Sequence, residues 1–250
     1  MPPQDSPRSD TDSIPYTGSD SMEIYEKSMT APAEGLSTRE LFRWLQDIAN
    51  EQCVGYLLTG DDLEKKGLMW VVIRYLVRAP RWPEPGEALT LQTWPGQTRH
   101  GMMPRYYRLL DAAGSCIVSG SSVWTVVDRQ TRKMVIPEEH GVVLEALTTG
   151  LEERRPPAPA RLPLAGSAEY TVTEDVLDTN GHMNNTRYYD LAERCIGRGA
   201  AHPVRIVTEH QSEIRLGQSM TVSWGQEGER FFLEGVNGGP VFRMELDYGA

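Results

Sequence analysis

Hydrophobic positions along the chain follow two periods that alternate. From Leu41 they recur every three or four residues, at Leu41, Phe42, Leu45, Ile48, Ala49, Cys53 and Leu57, which marks one face of a helix. Ser37 followed by Glu40 is a capping box, so the helix is expected to start there and to end by Gly60. Met22 to Met29 alternates before it and predicts a strand. After Gly67 the period drops to two. Segments 68–77, 88–94, 106–110 and 117–127 are rich in β-branched and aromatic residues and predict four strands, with Asp111 to Gly114 as a hairpin turn.

The same order then restarts. Residues 148–166 carry Pro156, Pro157, Pro159 and Pro163 and the charged run Glu152 to Arg155, and predict an extended linker. Beyond it come a strand from Tyr170 to Val176, a helix from about Asn184 to Gly197, and strands at 204–214, 219–224, 231–235 and 241–246. When His182 is laid on Leu36, Gly181 falls on Gly35, Tyr188 on Phe42 and Leu191 on Leu45. Strand, helix and four strands occur twice, which predicts a duplicated α+β fold with halves at 22–147 and 167–250.

At 250 residues the chain has room for two such units. Its net charge of −10 disfavours nucleic acid, which binds through neutralised phosphates. No apolar run approaches the roughly 18 residues needed to cross a membrane. Residues 1–21, rich in Pro, Ser and Asp, resemble neither a secretory signal nor a transit peptide and read as a disordered tail, so a cytoplasmic protein is expected. Cys53, Cys116 and Cys195 are widely spaced and odd in number, and are expected to act as small hydrophobes rather than as disulfide or zinc ligands. His100, His140, His202 and His210 lack metal-ligand spacing; neither a metal nor a cofactor is expected.

One stretch has more polar groups than its place in the fold requires. Asp178-Thr179-Asn180-Gly181-His182-Met183-Asn184-Asn185 precedes the second helix, where one residue suffices as a cap. The first half has Pro32, Glu34 and Leu36 at the corresponding places of Asp178, Asn180 and His182. The asymmetry predicts chemistry in the second half and substrate shaping in the first. A carboxylate, amides and an imidazole beside the unpaired N–H groups of a helix start can activate water and hold a developing oxyanion.

These residues resemble a known family. Asp178-x-Asn180-x-His182-x-Asn184-Asn185-x-x-Tyr188 is similar to the D-x-N-x-H-x-N-N-x-x-Y signature of the acyl-ACP thioesterases. The blocks Leu68 to Arg74, Pro80 to Glu87, Thr93-Trp94, and Ser121 to Asp128 with Thr131-Arg132 resemble the family's strands in the same order. The resemblance implies a double hot-dog fold: two tandem domains, each an antiparallel sheet wrapped around a long central helix. It implies Asp178, Asn180 and His182 as catalytic positions. It adds Glu213, on a later strand, from the form Glu-x-x-x-Glu at Glu209 to Glu213. The plant enzymes place a cysteine after this glutamate; Ile214 stands here, which favours direct attack by water.

Glu213 or His182 is then the general base, Asn180 holds the water or the carbonyl oxygen, backbone N–H groups near Asn184 meet the oxyanion, and Asp178 orients the imidazole. Asn184, Asn185, Trp70 and Arg74 are expected to contact substrate; of Trp70, Trp82, Trp94 and Trp124, one or two are expected to line an acyl tunnel and the others to fill core and rim. The implied partner is acyl carrier protein bearing a fatty acyl chain. Since that partner is acidic, Arg74, Arg78, Arg81, Arg99, Arg105, Arg108, Arg129, Arg132 and Lys133 are candidates for a docking patch. Two halves that satisfy each other allow a monomer or a homodimer. An acyl-CoA thioesterase, a hot-dog β-hydroxyacyl dehydratase and a non-catalytic carrier-binding module are the competing readings. The full set Asp178, Asn180, His182 and Glu213 argues against the last, which needs no such set.

Overall fold

The computed structural model describes residues 24–144, 155–199 and 201–249. In chain order these form β1 (Tyr25–Thr30), α1 (Thr38–Val54), α2 (Gly60–Lys65), β2 (Leu68–Arg78), β3 (Ala88–Pro95), β4 (Met103–Asp111) and β5 (Cys116–Asp128). The second set is β6 (Gly166–Thr171), α3 (Arg187–Ile196), β7 (Arg205–His210), β8 (Ser219–Glu227), β9 (Arg230–Val236) and β10 (Pro240–Asp247). All ten strands join in one sheet, in the order β1-β3-β4-β5-β2-β7-β10-β9-β8-β6. Each half thus contributes five strands in the same internal order, and the halves meet where β2 pairs antiparallel with β7.

Helices α1 and α3 lie on one face of this sheet. Phe42 of α1 packs edge-on to Tyr75 of β2 at 5.1 Å and stacks on Tyr189 of α3 at 3.9 Å. Tyr189 Oη lies 2.8 Å from Thr208 Oγ1 on β7, the strand partner of Tyr75. Strand alternation sends Tyr75, Thr208 and Met244 toward the helices, and Arg74, Glu209 and Arg243 to the opposite face. There Arg74 Nε donates to Glu209 at 2.8 Å, Arg243 lies 3.4 Å from the same carboxylate, and Arg205 pairs with Glu245. The linker runs along this outer face: Ala160 N–H donates to Glu245 at 2.8 Å, and Pro156 and Pro159 are buried. These contacts let charged residues sit at the centre of a sheet, because each buried carboxylate meets a guanidinium.

The predicted capping box at Ser37 and Glu40 is present, with Glu40 N–H donating to Ser37 Oγ at 3.2 Å. Four expectations need correction. The long first helix stops at Val54, and residues 60–65 form the separate α2 with its own cap at Thr59. The strand expected over 170–176 ends at Thr171, and residues 174–176 make a 3-10 turn. The second helix begins at Arg187, because Asn184 Oδ1 accepts from Thr186 N–H and Oγ1 and holds residues 184–186 in a turn. It has only ten residues, against seventeen in α1. Finally, the strand expected over 204–214 ends at His210, so Glu213 lies in the irregular segment that follows. The tail at 1–21 and the first part of the linker, through residue 154, lie outside the described residues.

Candidate active site

Residues 178–184 fold as a loop organised by one carboxylate. Asp178 Oδ1 accepts from Asn180 N–H at 2.8 Å and His182 N–H at 3.2 Å, while Asp178 N–H donates to His182 O at 2.8 Å. Gly181 bends the loop with φ of +76°, a left-handed conformation that glycine adopts without a Cβ clash. The loop is then fastened to the segment after β7, where Met183 N–H donates to Ile214 O at 2.9 Å and His182 bridges Arg215. This backbone pairing brings together two parts of the chain some thirty residues apart.

The result places His182 Nε2 2.9 Å from Glu213 Oε2. The contact has ion-pair distance but is not aligned as a hydrogen bond, so a small rotation of either side chain would complete it. His182 is 6% exposed. Burial holds its imidazole below the ordinary histidine value; the carboxylates of Glu213 and Asp178 oppose this, and the guanidinium groups of Arg215 and Arg132 reinforce it. The neutral imidazole is therefore the resting form at neutral pH. Glu213 is also held from the first half, where Arg132 Nη1 donates to its Oε1 at 2.7 Å. Arg215 lies 3.7 Å from its Oε2.

A cavity of about 290 Å³ opens beside the loop and extends into the first half. Thr179 and Asn180 stand at its loop side. Ala49, Asn50 and Cys53 of α1, Met69 and Trp70 of β2, Met103 of β4 and Trp124 of β5 form much of the wall. Trp70 Nε1 donates to Leu58 O at 2.9 Å, which fixes the indole against the wall. Arg105 also lines the cavity, although it is 5% exposed; Nη1 donates to Gln52 Oε1 at 2.5 Å and Thr93 Oγ1 at 3.2 Å. Trp82 and Trp94 lie elsewhere: Trp82 stacks on His202 at 4.3 Å and Trp94 is buried in the core.

The expected site residues therefore separate. His182 and Glu213 meet directly, Asn180 reaches the cavity, and Trp70 lines it. The Asp178 carboxylate serves the loop backbone, with its bonds to N–H groups and not to the imidazole. Asn184 is likewise used by the turn before α3, and Asn185 is half-buried beside it. Arg74 sits on the sheet face opposite the helices, bound to Glu209, away from the cavity that α1 lines. Most of the backbone donors expected near Asn184 are engaged: the N–H groups of Asn180, Gly181, His182, Met183, Asn184, Thr186 and Arg187 have partners within the loop and its neighbours.

The basic set expected for docking is also dispersed. Arg74, Arg81, Arg129 and Arg132 are in ion pairs and Arg105 is buried, while Arg99 and Lys133 remain exposed. Cys53 is a buried wall residue whose thiol burial pushes up, as befits a small hydrophobe. No group of three or more His, Cys, Asp or Glu that could hold a metal occurs among the described residues. None of their helices is long and apolar enough to cross a membrane.

A duplicated antiparallel sheet with a helix, α1 or α3, packed against each half, and a buried histidine meeting a partly exposed glutamate, defines the class of double hot-dog proteins. The family model for the acyl-ACP thioesterase N-terminal domain matches residues 21–141, and that for the C-terminal domain matches residues 165–235. The chain belongs to the acyl-ACP thioesterase family. It is 29% identical over 136 residues to a chloroplastic palmitoyl-acyl carrier protein thioesterase of Arabidopsis thaliana, covering 51% of this chain and 33% of that protein. With a chloroplastic dodecanoyl-[acyl-carrier-protein] hydrolase of Umbellularia californica the identity is 27% over 136 residues, 51% of this chain and 36% of the relative. The chain spans about a third of the length of the curated relatives it matches.

Among solved structures, an acyl-ACP thioesterase from Bacteroides thetaiotaomicron superposes with a TM-score of 0.74 at 18% identity, covering 90% of this chain and 98% of the other. The 12:0-ACP thioesterase from Umbellularia californica gives 0.75 at 17% identity, with 90% and 97% covered. At these identities the likeness is one of fold, and it bears out the expected double hot-dog architecture.

Proposed function

We propose that the protein hydrolyses the thioester of a fatty acyl chain carried on acyl carrier protein, releasing free fatty acid and the carrier's thiol. The observation that carries this reading is the His182–Glu213 contact of 2.9 Å, with His182 on the loop whose Thr179 and Asn180 line a cavity that extends into the first half. The apolar and aromatic part of the wall, from Ala49, Met69, Trp70, Met103 and Trp124, suits an acyl chain, while the polar loop suits the bond that breaks. Family membership and the thioesterases named above favour acyl carrier protein as the carrier.

The reaction needs a basic water, a polarised carbonyl and a proton for the leaving thiolate. Glu213 is partly exposed and beside a neutral imidazole, so the pair can take a proton from water as the oxygen attacks the carbonyl carbon. Electrons move onto the carbonyl oxygen, and the carbon–sulfur bond breaks as the tetrahedral species collapses. The proton held by the pair then passes to the thiolate. Because Asn180 lines the cavity and most of the neighbouring backbone N–H groups are engaged, its side-chain amide is the donor favoured for the oxyanion. Asp178 acts by keeping the loop in shape. The first half supplies the chain-binding wall and the second supplies the reacting groups.

The test is thiol release over a ladder of acyl-carrier chain lengths, with His182→Ala as the blank. Release that depends on His182 supports the reading. Equal release by the variant, or formation of an enoyl product without free thiol, sinks it.

A further inference from the structure

The turn after β5 contains an arginine in an unusual conformation. Residues 128–133 are tied by Asp128 Oδ1, which accepts from Gln130 N–H at 3.0 Å, Thr131 N–H at 2.7 Å and Thr131 Oγ1 at 2.9 Å. Arg132 N–H closes the turn on Asp128 O at 2.9 Å. This path requires a left-handed residue at position 132, and Arg132 has φ of +57°. Glycine or asparagine would occupy such a place with less strain.

Local preference therefore does not account for an arginine here. Stability does not account for it either: the Arg132 and Glu213 side chains are 41% and 35% exposed, and ion pairs at such sites contribute little to folding. What the conformation achieves is reach. Nη1 of Arg132 lies 3.0 Å from Met69 Sδ, beside the cavity, and 2.7 Å from Glu213 Oε1 in the other half of the chain. One carboxylate oxygen is thus held by the first half, and the other faces His182.

We propose that Arg132 is a positioning residue of the Glu213–His182 pair, fixing the carboxylate so that Oε2 faces the imidazole. The inference rests on the hydrolytic reading of this site. It makes the active site a joint product of both halves, since the second half alone leaves a partly exposed glutamate without its anchor. The charged groups facing the pair are Arg132 from the turn after β5, Arg215 from the segment after β7, and Asp178 from the loop. A cation beside the pair favours its deprotonated forms, so removing Arg132 moves its titration to higher pH.

Arg132→Gly is the informative variant, because it suits the left-handed turn while deleting the guanidinium. Its melting temperature should stay at or above that of the wild type. Its kcat on acyl carrier substrates should fall about tenfold to a hundredfold through misplacement of the base, with KM within about twofold. The acid limb of kcat and the His182 titration, followed by NMR of the ring, should both move to higher pH. Arg132→Lys, which can restore one N–H donor and the charge, should recover much of each. An unchanged kcat, an effect confined to KM, or a His182 titration that does not move in Arg132→Gly would overturn the proposal. If wild-type protein releases no thiol, the hydrolytic reading fails, while the His182 titration still decides whether Arg132 controls the pair.

Discussion

The two halves of the sheet share a strand order but differ in what lies between helix and strands. In the first half a seventeen-residue helix leaves a cavity of about 290 Å³ beside Ala49, Trp70 and Trp124. In the second half a ten-residue helix covers a filled core of Tyr188, Phe231, Phe242 and Met244, each at most 4% exposed. Gly235 on β9 shows how closely it is filled, since an added Cβ would collide with the Phe242 ring. On the proposed function, the duplicated scaffold divides two demands that conflict in one unit. Binding a chain needs empty space, which weakens packing, whereas holding reacting groups in register needs a rigid support.

The largest effect expected from this division is on chemistry. His182→Ala should lower thiol release about a thousandfold, and Glu213→Gln about a hundredfold, with the folded state retained. Near-normal turnover in both would remove the chemistry from the second half. Next comes the acid sensitivity of the filled core. The His210 ring is largely enclosed, and burial pushes its imidazole down to about 4 from an ordinary 6.5. The folded state therefore resists the proton while the unfolded chain accepts it. Stability from this residue is present above pH 6.5 and lost progressively as pH falls toward 4, by about 2 kcal/mol at pH 5. Urea midpoints at pH 7 and pH 5 should show the loss, and His210→Gln should flatten it; an equal slope in the variant would assign the acid effect elsewhere.

Overpacking should also separate the halves. Gly235→Val, forced against Phe242, should destabilise by about 1–3 kcal/mol in thermal unfolding, where an added methyl in the first half's cavity finds room. Ala49→Leu is the matching change in the cavity wall. It should leave folding intact and shift the preferred acyl chain shorter, costing long chains about fourfold in KM for each methylene displaced. An unchanged chain-length profile would show that the chain does not enter past Ala49.

Much of this architecture was legible from local signals. Ser37 and Glu40 mark the start of α1, and alternating β-branched residues locate most strands to within a few positions, because both patterns depend on near neighbours. Local signals failed where a distant partner intervened. Residues 211–214 continue a strand-like pattern, yet Gln211 and Ser212 both donate to Val241 O and end the ladder, and Ile214 and Arg215 pair with the loop at Met183 and His182. Arg74 looks like a substrate contact in a strand block, but its register opposite Glu209 sends it to the outer face. Gln46 and Asn50, one helical turn apart on α1, line the cavity, and no local pattern singles them out.

The chain by itself determined the duplication, the order of elements and the polar loop that distinguishes the second half. Each is written in residue type and spacing, and neither period nor motif requires a contact to be known. The tertiary structure alone decided which groups meet. It turned Asp178 toward the loop backbone, placed Glu213 against His182, and brought Arg132 from the other half to hold it. The His182–Glu213 contact spans 31 residues and exists because the loop pairs with Ile214 and Arg215; the Arg132–Glu213 contact spans 81 and joins two halves that the β2–β7 pairing brings side by side.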